Sequence, residues 1–325
     1  MHSGPEAWMR RKRKDMMQDV ETDISCPVCS TCNSHDLSVL PEDYEYRVEI
    51  ADDFGIRVCD DCQSEFIWPR PSLAELRDMY PDNYYAYGTE MGGFWQIIYN
   101  WWCRGEAKRL LSLSTKRPLH LFDIGAGDCR RFKAMGSGDQ FKFSGVEMNQ
   151  EMAQAGCDEG FDIAPGTFEE FDLTGSVGTV DVLTINHVIE HVTDPADTVR
   201  KAFELVADDG IFTGRTPKVA STGHRYFGGC WSGYHFPRHL TLFSRESLEL
   251  LLRESGFREV EIVEELNLFP ALSLQNFLVG KLKIPLTLEG GHSRLWTLLV
   301  FVTAPLSFFD YLFRRSDCMI FTAKK

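Results

Sequence analysis

The chain has 325 residues, 43% of them hydrophobic, which is ordinary for a globular protein of one large domain or two modest ones. Its formal charge of −14 argues against a nucleic-acid partner, because counterion release needs clustered lysine and arginine. Ten cysteines without an export signal point to thiols in a reducing compartment, so a cytoplasmic location is expected.

The basic run Arg10–Lys14 is followed by no apolar stretch and reads as a flexible, solvated tail over residues 1–21. Cys26-Pro-Val-Cys29 and Cys59-Asp-Asp-Cys62 come next, two C-x-x-C units some thirty residues apart. Such pairs suit a tetrahedral zinc(II) site, each unit giving two thiolates from one tight turn. The intervening "YEYRVEI" alternates like a strand, so residues 22–70 are expected to form a zinc ribbon, with Cys32 as a substitute ligand. Four protein ligands leave no open position, so the metal's role is structural. A redox C-x-x-C pair is the other reading.

Residues 71–115 read as a helical segment, a lid only by analogy with other folds of this kind. Ser72 and Glu75 have capping-box spacing and lead a short helix into a tyrosine-rich turn. In "GGFWQIIYNWWCRGEAKRLLSL", Phe94, Ile97, Ile98 and Trp101 share one helical face, and Trp95 and Trp102 make a second face apolar.

"PLHLFDIGAGDCRRF" runs from an apolar strand through a glycine turn into a helix. Asp123 lies at the strand's end, and Gly125 and Gly127 allow close approach of a ligand. "FSGVEMN" is a second strand ending in Glu147, a carboxylate placed to accept both hydroxyls of a ribose. Dinucleotide binding shares this layout, but Arg130 stands where the third glycine of G-x-G-x-x-G would be. "FDIAPGTFEEF" reads as strand, turn and polar loop, and "TVDVLTINHV" as an apolar strand. Asp194 and Pro195 then open a helix whose buried face carries Val199, Ala202, Phe203 and Val206, with Gly210 ending the unit. "GIFTGRTP" is a strand. A helix from Ser244 to Gly256 and the strand "REVEIVEEL" follow. This alternation predicts a doubly wound, mostly parallel sheet with its ligand at the strands' carboxyl ends.

"DIGAGDCRRF", "GVEMN", "HVIEHVTDP", "DDGIFTGRTP" and "HLTLFSRESLELLLRESGF" together resemble the class I S-adenosylmethionine-dependent methyltransferases, particularly the ubiquinone-biosynthesis O-methyltransferases. The cysteine-rich front resembles the zinc-ribbon preface of some bacterial members, including sugar C-methyltransferases, whose further C-terminal domain has no counterpart here. The resemblance implies a seven-stranded Rossmann-like sheet built from residues 116–266 and 316–325. Asp123, Gly125 and Gly127 would line the methionine portion of the cofactor, and Glu147 would bind the ribose. Met148 would pack on the adenine, Gly166, Thr167 and Phe168 would lie near its edge, and Asn186 and His187 would sit below the sulfonium.

"INHVIEHV" also spells H-x-x-E-H, the pattern of inverted zinc peptidases. That chemistry needs both histidines on one helical face. Here His187 directly follows a strand, and the next helix begins only at Asp194-Pro195, so peptidase activity is not expected. Quinone-biosynthesis relatives hold magnesium through E-x-x-E-H at this place, and His187 replaces the first glutamate. For a hydroxyl acceptor the base is expected to be a histidine: His191, then His239, with His187 and His235 competing. Trp231, Tyr234 and Phe236 would wall the acceptor pocket.

"SDCMIFTAKK" suits a last, antiparallel strand, which makes residues 267–315 a hydrophobic helical insertion before it. The apolar run Leu295–Phe309 is shorter than the roughly 20 residues that span a bilayer. Residues 294–315 therefore suit peripheral membrane contact, cover for the acceptor pocket, or packing against a second subunit in a homodimer. The expectation is S-adenosylmethionine-dependent methylation of a small-molecule or lipid-linked acceptor, most readily at oxygen. The rivals are sugar C-methylation, a non-catalytic docking protein and a nicotinamide-dependent oxidoreductase.

Overall fold

The computed structural model describes residues 24–31, 34–36, 54–78, 93–136, 139–284, 286, 288–289 and 292–325. The basic tail, Cys32, the expected strand "YEYRVEI" and the tyrosine-rich turn lie outside these residues. β1 (Ser34–Asp36), β2 (Gly55–Cys59) and β3 (Glu65–Trp68) pair antiparallel. α1 (Leu73–Asp78) opens with the expected capping box: the Glu75 carboxylate accepts from the Ser72 amide at 2.8 Å, and the Ser72 hydroxyl accepts from the Glu75 amide at 3.3 Å. α2 (Gly93–Ser112) follows. Its buried side chains are Cys103, Glu106, Ala107 and Leu110, whereas Phe94, Ile97, Ile98 and Trp101 are exposed. The sequence reading left two apolar faces on this helix and did not choose between them, because a helix that is apolar on two sides carries no phase information.

Next come β4 (Leu119–Ile124), α3 (Arg130–Met135), β5 (Phe141–Glu147), α4 (Gln150–Asp158), β6 (Asp162–Pro165) and β7 (Val180–Asn186). α5 (Pro195–Leu205) starts where expected, the Asp194 side chain accepting from the Asp197 amide at 2.8 Å. It is shorter than expected: Val206 already belongs to β8 (Val206–Pro217), and Gly210 sits within that strand. α6 (Thr222–Phe227), β9 (Thr241–Leu242), α7 (Arg245–Glu254) and β10 (Glu259–Glu264) lead into the insertion. The insertion holds α8 (Phe269–Gly280), the small hairpin β11 (Leu288–Glu289) and β12 (His292–Ser293), and α9 (Trp296–Leu312), and β13 (Cys318–Lys324) closes the chain.

The main sheet has the order β10-β13-β8-β7-β4-β5-β6, with β13 antiparallel to both neighbours and the other pairings parallel. It is the Rossmann-like methyltransferase sheet expected from the sequence. Alternate residues serve its two faces. Leu121 and Val182 pack with Leu110 and Phe132, while Phe122 and Leu183 pack with Val199 and Leu248. The chain reverses direction across the sheet between β4 and β7, so their carboxyl ends open the crevice where such folds bind ligands. The ribbon is stitched to this body: β9 pairs with β3, and Cys26, Cys59 and Phe66 share a core with Phe243 and Leu248.

Close packing at β8 yields a stability prediction. A methyl group on Gly214 would lie 2.0 Å from the Ile185 carbonyl oxygen and 2.9 Å from the Phe321 ring. Gly214→Ala is expected to cost about 1–3 kcal/mol, or to leave the protein insoluble, as measured by urea denaturation. Unchanged stability would show that β7 and β8 are not packed in this register.

Candidate active site

A buried ion network reaches across the carboxyl end of the sheet. Arg131, on α3, holds Glu106 of α2 with two nitrogens, Nε at 3.0 Å and Nη2 at 3.1 Å, and donates to Asp123 at 2.8 Å. Thr184 donates to the other Asp123 oxygen at 2.6 Å. Arg215, on β8, donates to Glu106 at 2.9 Å, to Glu265 at 2.7 Å and to Asn186 Oδ1 at 2.9 Å, and its guanidinium lies 4.2 Å from the Trp102 ring centre. Burial pushes Asp123 up, with Arg131 opposing. Burial would also raise Glu106, but the two guanidinium groups hold it below its ordinary value.

Beside this network lies a cradle. Gly127, at φ 57°, donates its amide to Glu147 Oε2 at 2.8 Å, and the Asn149 amide donates to Glu147 Oε1 at 2.9 Å. Nothing lies within 4 Å of where a Gly127 Cβ would stand, so the bare backbone faces open space. Gly125 is required for a different reason: at φ 79° a Cβ would strike Val188 at 2.6 Å. Met148 is half-buried in the bend after β5. The half-buried Gly166 follows β6, and its amide donates to the Glu147 carbonyl at 2.9 Å. Thr167 donates to Glu170 at 3.1 Å. Phe168 is buried between Phe122 and Phe171, so its ring belongs to the core and only its backbone can approach a ligand. Asn186 ends β7 with its buried Nδ2 unpartnered.

Histidines occupy the loop after β7. His187 has φ 54°, and its Nδ1 lies 3.4 Å from the buried Glu190 carboxylate, whose other oxygen accepts from Thr216 at 3.0 Å. No helix carries H-x-x-E-H, which removes the peptidase reading. His191 Nδ1 donates to the Arg238 carbonyl at 3.0 Å, and His239 Nδ1 to the Gly233 carbonyl at 2.7 Å. A carbonyl only accepts, so both rings carry their proton on Nδ1 and the lone pair on Nε2. Burial lowers His191 and holds His239 and His235 well below the ordinary histidine value, so these rings are neutral. Their centres cluster, His191 to His239 at 4.5 Å and His235 to His239 at 5.1 Å. Of the expected pocket wall, Trp231, Tyr234 and Phe236 are all buried, with Trp231 Nε1 donating to Asp317 at 2.9 Å.

Sequence reasoning found the cradle and the histidines but missed Glu106, Arg131, Arg215 and Glu265. One signal was present: Glu106 interrupts the helically spaced stripe Cys103, Ala107, Leu110, the mark of a carboxylate turned inward.

Residues 100–262, half of the chain, match the family described as Methyltransferase domain. The chain belongs to that family. It is an enzyme, an S-adenosylmethionine-dependent methyltransferase. No curated protein matches it. Similar solved structures include an S-adenosylmethionine-dependent methyltransferase from Archaeoglobus fulgidus, at 19% identity over 70% of this chain and 94% of that one, with a TM-score of 0.45. A possible histamine N-methyltransferase from Thermotoga maritima has 18% identity over 71% and 92%, with a TM-score of 0.45. A cyclopropane synthase from Mycobacterium tuberculosis has 16% identity over 68% and 82%, with a TM-score of 0.43.

The methyltransferase cradle fits its cofactor on three counts: the open face at Gly127, the Glu147 carboxylate held by two amides, and the unpartnered Asn186 donor. Glu147→Ala is expected to weaken S-adenosylhomocysteine binding roughly 10–100-fold in calorimetry, the worth of a hydrogen bond to a charged group. Burial raises Glu147 above its ordinary 4.5, and hydroxyls donate best to the ionised form. Affinity should therefore be full at higher pH and fall as pH drops through that raised value, a dependence absent from the variant. Unchanged affinity would place the cofactor elsewhere.

Proposed function

We propose that this methyltransferase transfers the methyl group to a hydroxyl of a small-molecule or lipid-linked acceptor, with S-adenosylmethionine held by the Glu147 cradle. The cofactor supplies a methyl group already activated on a positively charged sulfur. The protein's tasks are alignment, exclusion of water and removal of the acceptor's proton. The observation that carries oxygen as the acceptor atom is His187 at the tip of β7, its side chain 40% exposed and its Nδ1 directed at buried Glu190. Glu190 Oε1, which has no hydrogen-bond partner among the described residues, lies where it would stabilise the imidazolium formed when the ring takes the hydroxyl proton. This reading puts His187 ahead of His239, which is buried, and of His191, whose basicity burial lowers. Asn186 and the Arg215 network position the strand tip beneath.

One observation favours a metal-assisted variant of the same reaction. A carboxylate oxygen of Glu190 and ring nitrogens of His191 and His239 lie within 4.8 Å of one another. Both rings are oriented by their Nδ1 bonds, as metal-ligating histidines are.

Activity is measured with a hydroxylated acceptor identified by a mass gain of one methyl group in cell extract. His187→Ala is expected to lower kcat about 10²–10⁴-fold, leaving cofactor affinity intact. Full activity in His187→Ala would overturn the base assignment. Loss of activity in wild-type protein treated with EDTA would favour the metal-assisted variant.

The same reading assigns a structural zinc to Cys26, Cys29, Cys59 and Cys62. Their ligand atoms lie within 4.8 Å of one another, with Cys26 to Cys62 at 3.6 Å and Cys29 to Cys59 at 3.5 Å. Thiolates about 2.3 Å from a tetrahedral zinc stand roughly 3.8 Å apart, so the cluster fits the ion. The Val28 and Cys62 amides point at the Cys26 and Cys59 sulfurs. Metal analysis is expected to find about one zinc per chain, lost with much of the thermal stability in Cys59→Ser. A metal-free wild-type protein of equal stability would refute the assignment.

A further inference from the structure

The insertion is built inside out. The α9 side chains turned toward the protein are Leu299, Thr303, Ser307 and Asp310, three of them polar. Asp310 accepts from Thr222 at 2.7 Å, and Thr303 and Ser307 fold their hydroxyls back onto the helix backbone. The outward side is apolar: Leu298, Phe301, Val302, Phe308, Phe309 and Leu312 are all more than half exposed. α8, against which α9 packs, repeats the pattern inward, with Ser273 and Gln275 buried and bonded to the Ser232 and Ser293 amides. A water-facing helix has the opposite arrangement, polar outside and apolar within. Thus the medium outside α9 is apolar.

Charge identifies that medium. Residues 281–315 carry Lys281, Lys283, Arg294, Arg314 and Arg315 against Glu289 and Asp310, a local balance of +3 in a chain of −14. All five basic side chains are exposed; Arg294 stands just before α9, Arg314 and Arg315 just after it, and Lys281 and Lys283 follow α8. A second copy laid along α9 in either direction would set guanidinium against guanidinium. Phosphate headgroups complement this frame, and acyl chains complement the face between. At 17 residues α9 is about 25 Å long and is interrupted by Pro305. Among the described residues no helix is long and apolar enough to cross a membrane.

We propose that α9 lies in the surface of an anionic phospholipid bilayer, its phenylalanine face in the acyl boundary and its arginines among the phosphates. The inference goes beyond the methyl-transfer reading and does not depend on it. Its test needs no acceptor and no activity.

The full chain is floated with phosphatidylcholine vesicles that contain or lack phosphatidylglycerol. It is expected to rise with the anionic vesicles, less with the neutral ones, and to be released by salt. The triple variant Phe301→Ser/Phe308→Ser/Phe309→Ser is expected to partition at least about tenfold less. Because these rings are exposed, its S-adenosylhomocysteine affinity should match the wild type and certify the fold. Equal flotation of the variant, or no flotation of the wild type, would overturn the proposal. A wild-type dimer in light scattering that the same substitutions dissociate, without flotation, would give the face to a second copy and also overturn it.

Discussion

Glu106 is the residue on which the catalytic edge turns. It enters from α2, grips Arg131 with both oxygens and shares one of them with Arg215. Through those two arginines it reaches Asp123 at the tip of β4, Asn186 at the tip of β7 and Glu265 at the root of the insertion. Ions this deep are tolerable only when every charge has its partner, because an unpaired buried charge costs several kcal/mol. The network thus fixes several chain segments relative to one another at the carboxyl end of the sheet. Its worth lies in positioning, since well-packed apolar residues can match buried ion pairs in stability.

The positions of Asp123 and Glu147 show how two neighbouring strand tips divide their labour. Both carboxylates follow apolar strands and both look equally suited to a ligand in the sequence. In the structure Asp123 has one oxygen on Arg131 and the other on Thr184, whereas Glu147 meets only backbone amides. Asp123 is therefore part of the frame, whereas no side chain claims Glu147. Spacing alone cannot separate these roles, because the residue that claims Asp123 comes from a helix eight positions later.

What was legible in the sequence is what depends on local chemistry. The Ser72, Asp194 and Ser244 caps, the glycine turn at Gly125 and Gly127, and the reversed last strand all stand where the chain's punctuation put them. What failed needed partners distant in sequence. Phe94, Ile97, Ile98 and Trp101 share one of two apolar faces, and the face that packs is chosen by Arg131 and Arg215 calling Glu106 inward. That Phe122 and Phe171 claim the ring of Phe168 was equally invisible in the sequence. The ribbon likewise reads as a separate unit, and only the pairing of β9 with β3 reveals that it is sewn to the sheet.

Arg70 and Phe269 explain why ribbon and insertion both bear on the same edge. Arg70, just past β3, donates to the Thr193 carbonyl at 2.9 Å and to Thr241 at 3.2 Å, pinning the far end of the histidine loop. Leu240 and Thr241 amides donate to the Glu190 carbonyl, so the strand that completes the ribbon also holds the carboxylate beside His187. From the other side Phe269, at the start of α8, places its ring centre 6.0 Å from that of His187. The loop that carries the histidines is therefore clamped between the N-terminal ribbon and the root of an apolar insertion. A displacement of either element must move His187 and Glu190, because their backbone bonds and ring contacts run to both.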